Sequence, residues 1–348
     1  MIRLLVIFIV INNIMMIKCN RLTHFHSTMT KVRIPSSLLS NNDKVIYVKR
    51  DDQYKLQDDI DISGNKIRKF LKLHEKLSSS SLKEVRSYGG LQSNSMLAIA
   101  AISNYHKCRF TYYTRKVNDL ERYKGKGNYG AAINYGMNHV ELSNAEYDDI
   151  VNVYRNRKDI DDNVEWIPQG GAYKDAFKGV QQLIKELVDF TNQQEKKCKW
   201  KLLIASGTGT TALFAARAVN LIQEHNLEVI AFPCCGSKEY LKEQMIELDE
   251  KTGSYGVFPK ILPIIVGESK RVFGKPVKDH YVIWSELLKN TGILFDLIYA
   301  PRAFELLNES FKNDKEYWDE DVQIIYYHCG GLEGNDTQLE RYRYSNLI

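Results

Sequence analysis

The chain has 348 residues, 44% hydrophobic and 26% charged, the composition of a globular protein of about two domains. Its 48 basic and 43 acidic residues leave a net charge of +5, too small and too scattered for a nucleic-acid footprint. Six cysteines do not amount to a disulfide framework at this length, and the pair Cys234-Cys235 lacks the second pair that would complete a metal site.

The first 19 residues differ from the rest. Arg3 precedes an apolar run, Leu4 to Ile11, that resumes at Ile14 to Ile17. A positive start with a short apolar core has the form of a secretory signal. It is too short for a stable membrane span of about 20 residues. Asn20 to Arg33 carries basic residues, His, Ser and Thr but no acids, as a transit segment does. Two readings stand: a leader toward the secretory route or a plastid-type organelle, or a true start at Met29 and a cytoplasmic product. In both, residues 1–35 are set outside the fold.

The elements that follow alternate. Lys44 to Lys49 reads as a strand from its β-branched and aromatic content. Asn65 to Leu77 places Ile67, Phe70, Leu71, Leu73 and Leu77 near helical spacing. The serine run Ser78 to Ser81 then marks a change of domain. Ser93 to Ile102 reads as a helix capped by Ser or Asn, and Arg109 to Thr114 as a strand. Asp175 to Asn192 is a long amphipathic helix. Trp200 to Ala205, Ala212 to His225, Glu228 to Phe232 and Val322 to Tyr326 continue as strand, helix, strand and strand. Such alternation predicts an α/β fold with mostly parallel sheets.

Four segments carry chemical potential. Lys66 stands in Gly64-Asn65-Lys66-Ile67-Arg68-Lys69 at a helix start; a lysine amine in a pocket can lose its proton and condense with an aldehyde. Gly89-Gly90-Leu91-Gln92-Ser93-Asn94-Ser95 sets small polar groups where a strand hands over to a helix, as either a capped turn or an anion site. Ser206-Gly207-Thr208-Gly209-Thr210-Thr211 also joins a strand to a helix. It lacks the Gly-Lys pair of a nucleotide loop and is not GxGxxG, which suits the phosphate of a bound cofactor rather than a transferable one. Tyr327-His328-Cys329-Gly330-Gly331 ends a strand in a tight turn.

In this order the segments resemble the 1-aminocyclopropane-1-carboxylate deaminase and D-cysteine desulfhydrase family, within the tryptophan-synthase-β-like, fold type II enzymes of pyridoxal phosphate (PLP). The resemblance runs from about Arg50 to the end. It also includes Lys49-Arg50-Asp51-Asp52, Ile167-Pro168-Gln169-Gly170-Gly171 and Asp296-Leu297-Ile298-Tyr299.

The resemblance implies two open, twisted, mostly parallel sheets flanked by helices, with pyridoxal 5'-phosphate in the cleft between domains. The larger domain would take residues 36–81 and 186–348, the smaller 82–185. Lys66 would carry the cofactor, and Ser93 would meet the carboxylate of a small amino-acid substrate. Asn94 would face the ring hydroxyl, with Gln92 and Ser95 as weaker candidates. Ser206, Gly207, Thr208, Gly209, Thr210 and Thr211 would hold the phosphate, and Tyr299 would be the active-site tyrosine. A homodimer is the family expectation.

Two positions depart from the family pattern. Ala300 stands where relatives carry Glu or Thr toward the ring nitrogen, leaving Cys329 as a weak substitute. Phe273, in Val272-Phe273-Gly274-Lys275-Pro276, stands where relatives have a second tyrosine. These changes favour α,β-elimination from a D-cysteine-like substrate over ring opening of 1-aminocyclopropane-1-carboxylate. The rival from another class is a PLP-binding protein with little turnover.

Overall fold

The computed structural model describes residues 27–348 apart from 40–42, 119, 157–160, 195–197, 223–224, 254–261, 269–270, 315–316 and 319–320. Two sheets organise the chain. The first has six strands: β1 (Met29–Ile34), β2 (Lys44–Arg50), β7 (Lys199–Ser206), β8 (Leu227–Pro233), β9 (Ile264–Ile265) and β10 (Val322–His328), in the order β1-β2-β10-β7-β8-β9. The second has β3 (Glu84–Tyr88), β4 (Arg109–Arg115), β5 (Asn138–Leu142) and β6 (Val164–Ile167), in the order β5-β4-β3-β6, all parallel. In the first sheet only β1 runs antiparallel to its neighbour. The expected α/β architecture is therefore present, as one mixed and one parallel sheet.

The helices are α1 (Asn65–Lys69), α2 (Leu71–Ser79), α3 (Asn94–Tyr105), α4 (Gly127–Asn134), α5 (Asn144–Asn156), α6 (Ala176–Asn192), α7 (Thr210–Asn220), α8 (Lys238–Thr252), α9 (Lys278–Thr291), α10 (Tyr299–Asn313) and α11 (Asn335–Tyr344). Among the described residues no helix is long and apolar enough to cross a membrane. The amphipathic helix expected over 175–192 is α6, and its apolar face of Phe177, Val180, Leu183, Ile184, Leu187 and Val188 is buried throughout. Strands β7 and β8 are buried on both faces, which explains why they read as continuous apolar runs rather than alternating ones.

Two expectations change. Residues 29–34 are not outside the fold: they form β1, pairing with β2 in the register Val32 to Ile46 and burying Val32 and Ile34. The alternation of MTKVRI is a strand signal that the preceding leader-like run obscures. The leader-like run itself, residues 1–26, lies outside the described residues. The single helix expected over 65–77 is broken at Phe70 (φ −96°, ψ 15°), whose ring is fully buried, so α1 becomes a separate five-residue turn.

Candidate active site

The C-terminal ends of β3, β7 and β10 open toward one cavity of about 1430 Å³, the position that ligands take in parallel α/β sheets. All the candidate residues line it: Lys66, Ser93, Asn94, the loop 206–211, Tyr299 and Cys329.

Lys66 reaches the cavity because α1 begins against the turn after β10. The Asn65 N–H donates to the Cys329 carbonyl at 2.9 Å. A Cβ on Gly64 (φ 109°) would lie 2.7 Å from that carbonyl oxygen, and one on Gly330 would lie 2.9 Å from Gly64 Cα. Only glycine lets the first and fourth motifs cross at this separation. The underside of α1 is fastened by Arg68, whose guanidinium donates to Asp51 at 2.7 and 2.8 Å and to Glu186 at 2.8 Å. Ser27 and Tyr327 also donate to Asp51, and Lys49 donates to Glu186 at 2.6 Å. The Lys49-Arg50-Asp51-Asp52 segment thus supplies a buried ion network that ties β2, α1, α6 and β10 together.

The amines of Lys66 and Lys69 stand close enough to influence each other's protonation. Burial pushes both amines below the ordinary lysine range, and the charge of Lys66 pushes Lys69 further. Lys69 also donates to the Gly170 carbonyl at 2.7 Å, and Gly170 packs on Thr208, where a Cβ would come within 2.9 Å. Lys69 therefore joins the lysine motif to the loop after β7. The sequence reading passed over it, although its spacing of three from Lys66 puts both on one helical face.

Gly209 takes φ 71° at the start of α7 and offers no side-chain cap, leaving the first N–H groups of that helix free to meet an anion. Thr208 and Thr210 share a hydroxyl contact of 2.9 Å. The Ser206 hydroxyl instead donates back to the Ile204 carbonyl at 3.1 Å, so its proton is engaged within β7. A Cβ on Gly207 would stand 3.1 Å from the Tyr299 hydroxyl, so glycine keeps that hydroxyl room at the cavity wall.

In the polar turn, Ser93 caps α3, its hydroxyl accepting from the Met96 N–H at 3.3 Å. Asn94 accepts a hydrogen bond from Asn128, 34 residues away and outside every motif. Gln92 Nε2 and the Ser95 hydroxyl, both at the cavity wall, are buried without a protein partner. Such atoms are costly unless a ligand or water meets them.

The two departures resolve differently. Phe273 does line the cavity, with its ring 5.3 Å from that of Tyr299. Ala300 does not: it is fully buried against the core that contains Phe304. One carboxylate at the cavity wall is Asp296, which accepts the N–H groups of Ile298, Tyr299 and Ala300 at 3.1, 2.5 and 3.3 Å and so starts α10. Burial pushes it above the usual carboxylate range.

No family model matches the chain. It is 26% identical over 302 residues to a Thermotoga maritima protein named "Putative 1-aminocyclopropane-1-carboxylate deaminase", spanning 85% of this chain and 91% of that one. It is 24% identical over 303 residues to the bifunctional D-cysteine desulfhydrase/1-aminocyclopropane-1-carboxylate deaminase of Arabidopsis thaliana, a mitochondrial protein, spanning 84% and 74%. Over most of its length the chain is similar to deaminases and desulfhydrases of this kind. Solved structures agree on the fold. An ACC deaminase homologue superposes with a TM-score of 0.72 at 20% identity, covering 92% of this chain and 95% of that one. A hydrogen sulfide-producing enzyme from Fusobacterium nucleatum follows at 0.56 and 14%, covering 90% and 99%. The four motifs, separated along the chain, meet at this one cavity.

Proposed function

We propose that the chain is a PLP-dependent lyase of a small amino acid, acting by α,β-elimination on a D-cysteine-like substrate to expel sulfide, after which water hydrolyses the released enamine to a 2-oxo acid and ammonia. The observation that carries this reading is the convergence, in one cavity, of an uncapped helix start with Lys66, a half-buried lysine whose amine burial pushes below the ordinary lysine range.

The residues fit the cofactor. Lys66 Nζ is the amine that would hold it, Lys69 and the N–H groups of 208–211 would meet its phosphate, and Asn94, also on the cavity wall, would face its ring. When bound, the cofactor supplies the electron sink that acidifies the substrate Cα proton. Lys66 Nζ, with its proton affinity lowered by burial, is the base suited to receive that proton. Burial keeps the Tyr299 hydroxyl protonated, so that it can donate toward a leaving group. Ser93 and the unpartnered Gln92 Nε2 and Ser95 hydroxyl are the donors available to a substrate carboxylate.

The case for elimination rests on what lies opposite Lys66. Burial holds the Cys329 thiol neutral, Ala300 carries no carboxylate, and the cavity-wall Asp296 spends its oxygens on the N–H groups that start α10. A weak S–H donor cannot keep a pyridine nitrogen protonated as a carboxylate would, so the sink is moderate and a good leaving group is needed. The purified, cofactor-loaded protein is to be assayed on D-cysteine and on 1-aminocyclopropane-1-carboxylate. Release of sulfide and pyruvate from D-cysteine in excess of ring opening is expected. Efficient ring opening without elimination overturns the choice of reaction, and cofactor binding without turnover on either substrate overturns the lyase.

A further inference from the structure

An asparagine side chain presents an acceptor on one edge and two donors on the other, and its neighbours decide which edge a ligand meets. Asn94 lines the cavity, and the neighbour that decides for it is Asn128, near the start of α4. Asn128 Nδ2 donates to Asn94 Oδ1 at 2.7 Å and to the Gln92 carbonyl at 2.8 Å. Both of its N–H bonds are spent on acceptors. Turning this amide over would set Asn128 Oδ1 against two oxygens, so its orientation is fixed.

Asn128 fixes Asn94 in turn. Asn94 Oδ1 is held on Asn128, and Nδ2 lies toward Gly331, where a Cβ would stand 2.7 Å from it. The clamp is built with little freedom. Asn128 is 1% exposed, and its own N–H donates to Gln92 Oε1 at 3.3 Å, as does the Thr337 hydroxyl from α11. A Cβ on Gly127 would meet Thr337 at 2.7 Å and Gln92 Oε1 at 2.8 Å, so the close approach of α4 requires glycine there.

We infer that Asn128 is a positioning residue whose clamp makes Asn94 an obligate hydrogen-bond donor toward the cofactor ring, so that the site selects an anionic ring oxygen. The inference rests on the PLP reading above. A donor edge stabilises negative charge on the ring oxygen, whereas the acceptor edge would repel it.

Asn128→Asp tests this. A carboxylate at 128 cannot donate to Asn94 Oδ1 but can accept from Nδ2, so the Asn94 amide should turn and present its oxygen. The visible absorption of lysine-bound cofactor should shift, and cofactor affinity should fall by about tenfold or more, the usual loss for a hydrogen bond to a charged group. Adding Asn94→Ala to Asn128→Asp should produce little further change, because both act through one contact. Should Asn128→Asp not fold, Asn128→Ala removes the clamp without a buried charge and should show part of the same spectral shift. An unchanged spectrum, with Lys66 still trapped by borohydride, overturns the positioning role and leaves the cofactor reading intact. Fully additive losses also overturn it. If the wild-type protein yields no trapped lysine, the cofactor reading itself fails and the inference fails with it.

Discussion

Lys66 and Lys69 stand three residues apart on α1 with their amines close enough to interact, where burial disfavours two positive charges. A lysine whose folded-state pKa lies below its unfolded value binds fewer protons when folded, so stability rises with pH through the interval between the two. The apoprotein should therefore gain thermal stability between pH 7 and pH 9. Lys69→Met should be more stable than wild type at pH 7 and gain less from the same rise. It should also bind cofactor more weakly, because the cation beside the loop 206–211 is gone. Denaturation scans at the two pH values, with and without cofactor, check both effects.

Gly209 is held at φ 71°, with Met245 Cγ 2.4 Å from where a Cβ would stand. Gly209→Ala imposes a left-handed cost of about 1–2 kcal/mol and pushes α8 off α7. The start of α7 should shift, and equilibrium dialysis should show a larger loss of affinity for the phosphorylated cofactor than for pyridoxal.

Asp51 is fully buried. Burial alone would raise its pKa, but Arg68, Ser27 and Tyr327 outweigh that and hold the carboxyl below the aspartate range. A depressed carboxylate contributes stability above its unfolded pKa, near ~3.9, and that stability is lost as pH falls toward the folded value. Asp51→Asn should cost about 3–5 kcal/mol at neutral pH, since it leaves the Arg68 charge short of a partner, and should flatten the acid limb of the stability curve. Urea titrations between pH 3 and 7 would register both changes.

Much of the fold is legible in the sequence, because strands such as β7 and helices such as α6 have one strong period each. What escaped has a physical reason in each case. The break at Phe70 arises where a buried ring packs beneath α1, and no local propensity marks it. Lys69 was hidden by its ordinary type, since nothing in sequence says that a lysine is buried. Asn128 reaches Asn94 across 34 residues, a contact only the tertiary fold creates. Asp296, by contrast, stands three residues before Tyr299 at the spacing of a helix cap and could have been read. The motifs around Lys66, Asn94 and Thr208 were visible because glycines and small polar residues cluster where chains must approach closely.

Ser27 and Thr28 belong to the folded chain. Lys49 donates to the Ser27 carbonyl at 2.6 Å, the Ser27 hydroxyl donates to Asp51 at 2.5 Å, and the Arg50 N–H donates to the Thr28 carbonyl at 2.9 Å. A chain begun at Met29 should be less stable than one begun at Ser27, by on the order of 1–3 kcal/mol for each buried group left unpaired. Comparing the thermal midpoints of the two purified chains settles the difference.

The most direct test of the central claim is to load the full chain with pyridoxal phosphate, reduce it with borohydride and map the modified lysine by peptide mass spectrometry. The predicted result is a single stable adduct on Lys66, lost in Lys66→Ala and retained in Lys69→Met. An adduct on Lys69, a spread of adducts over surface lysines, or none at all would contradict it.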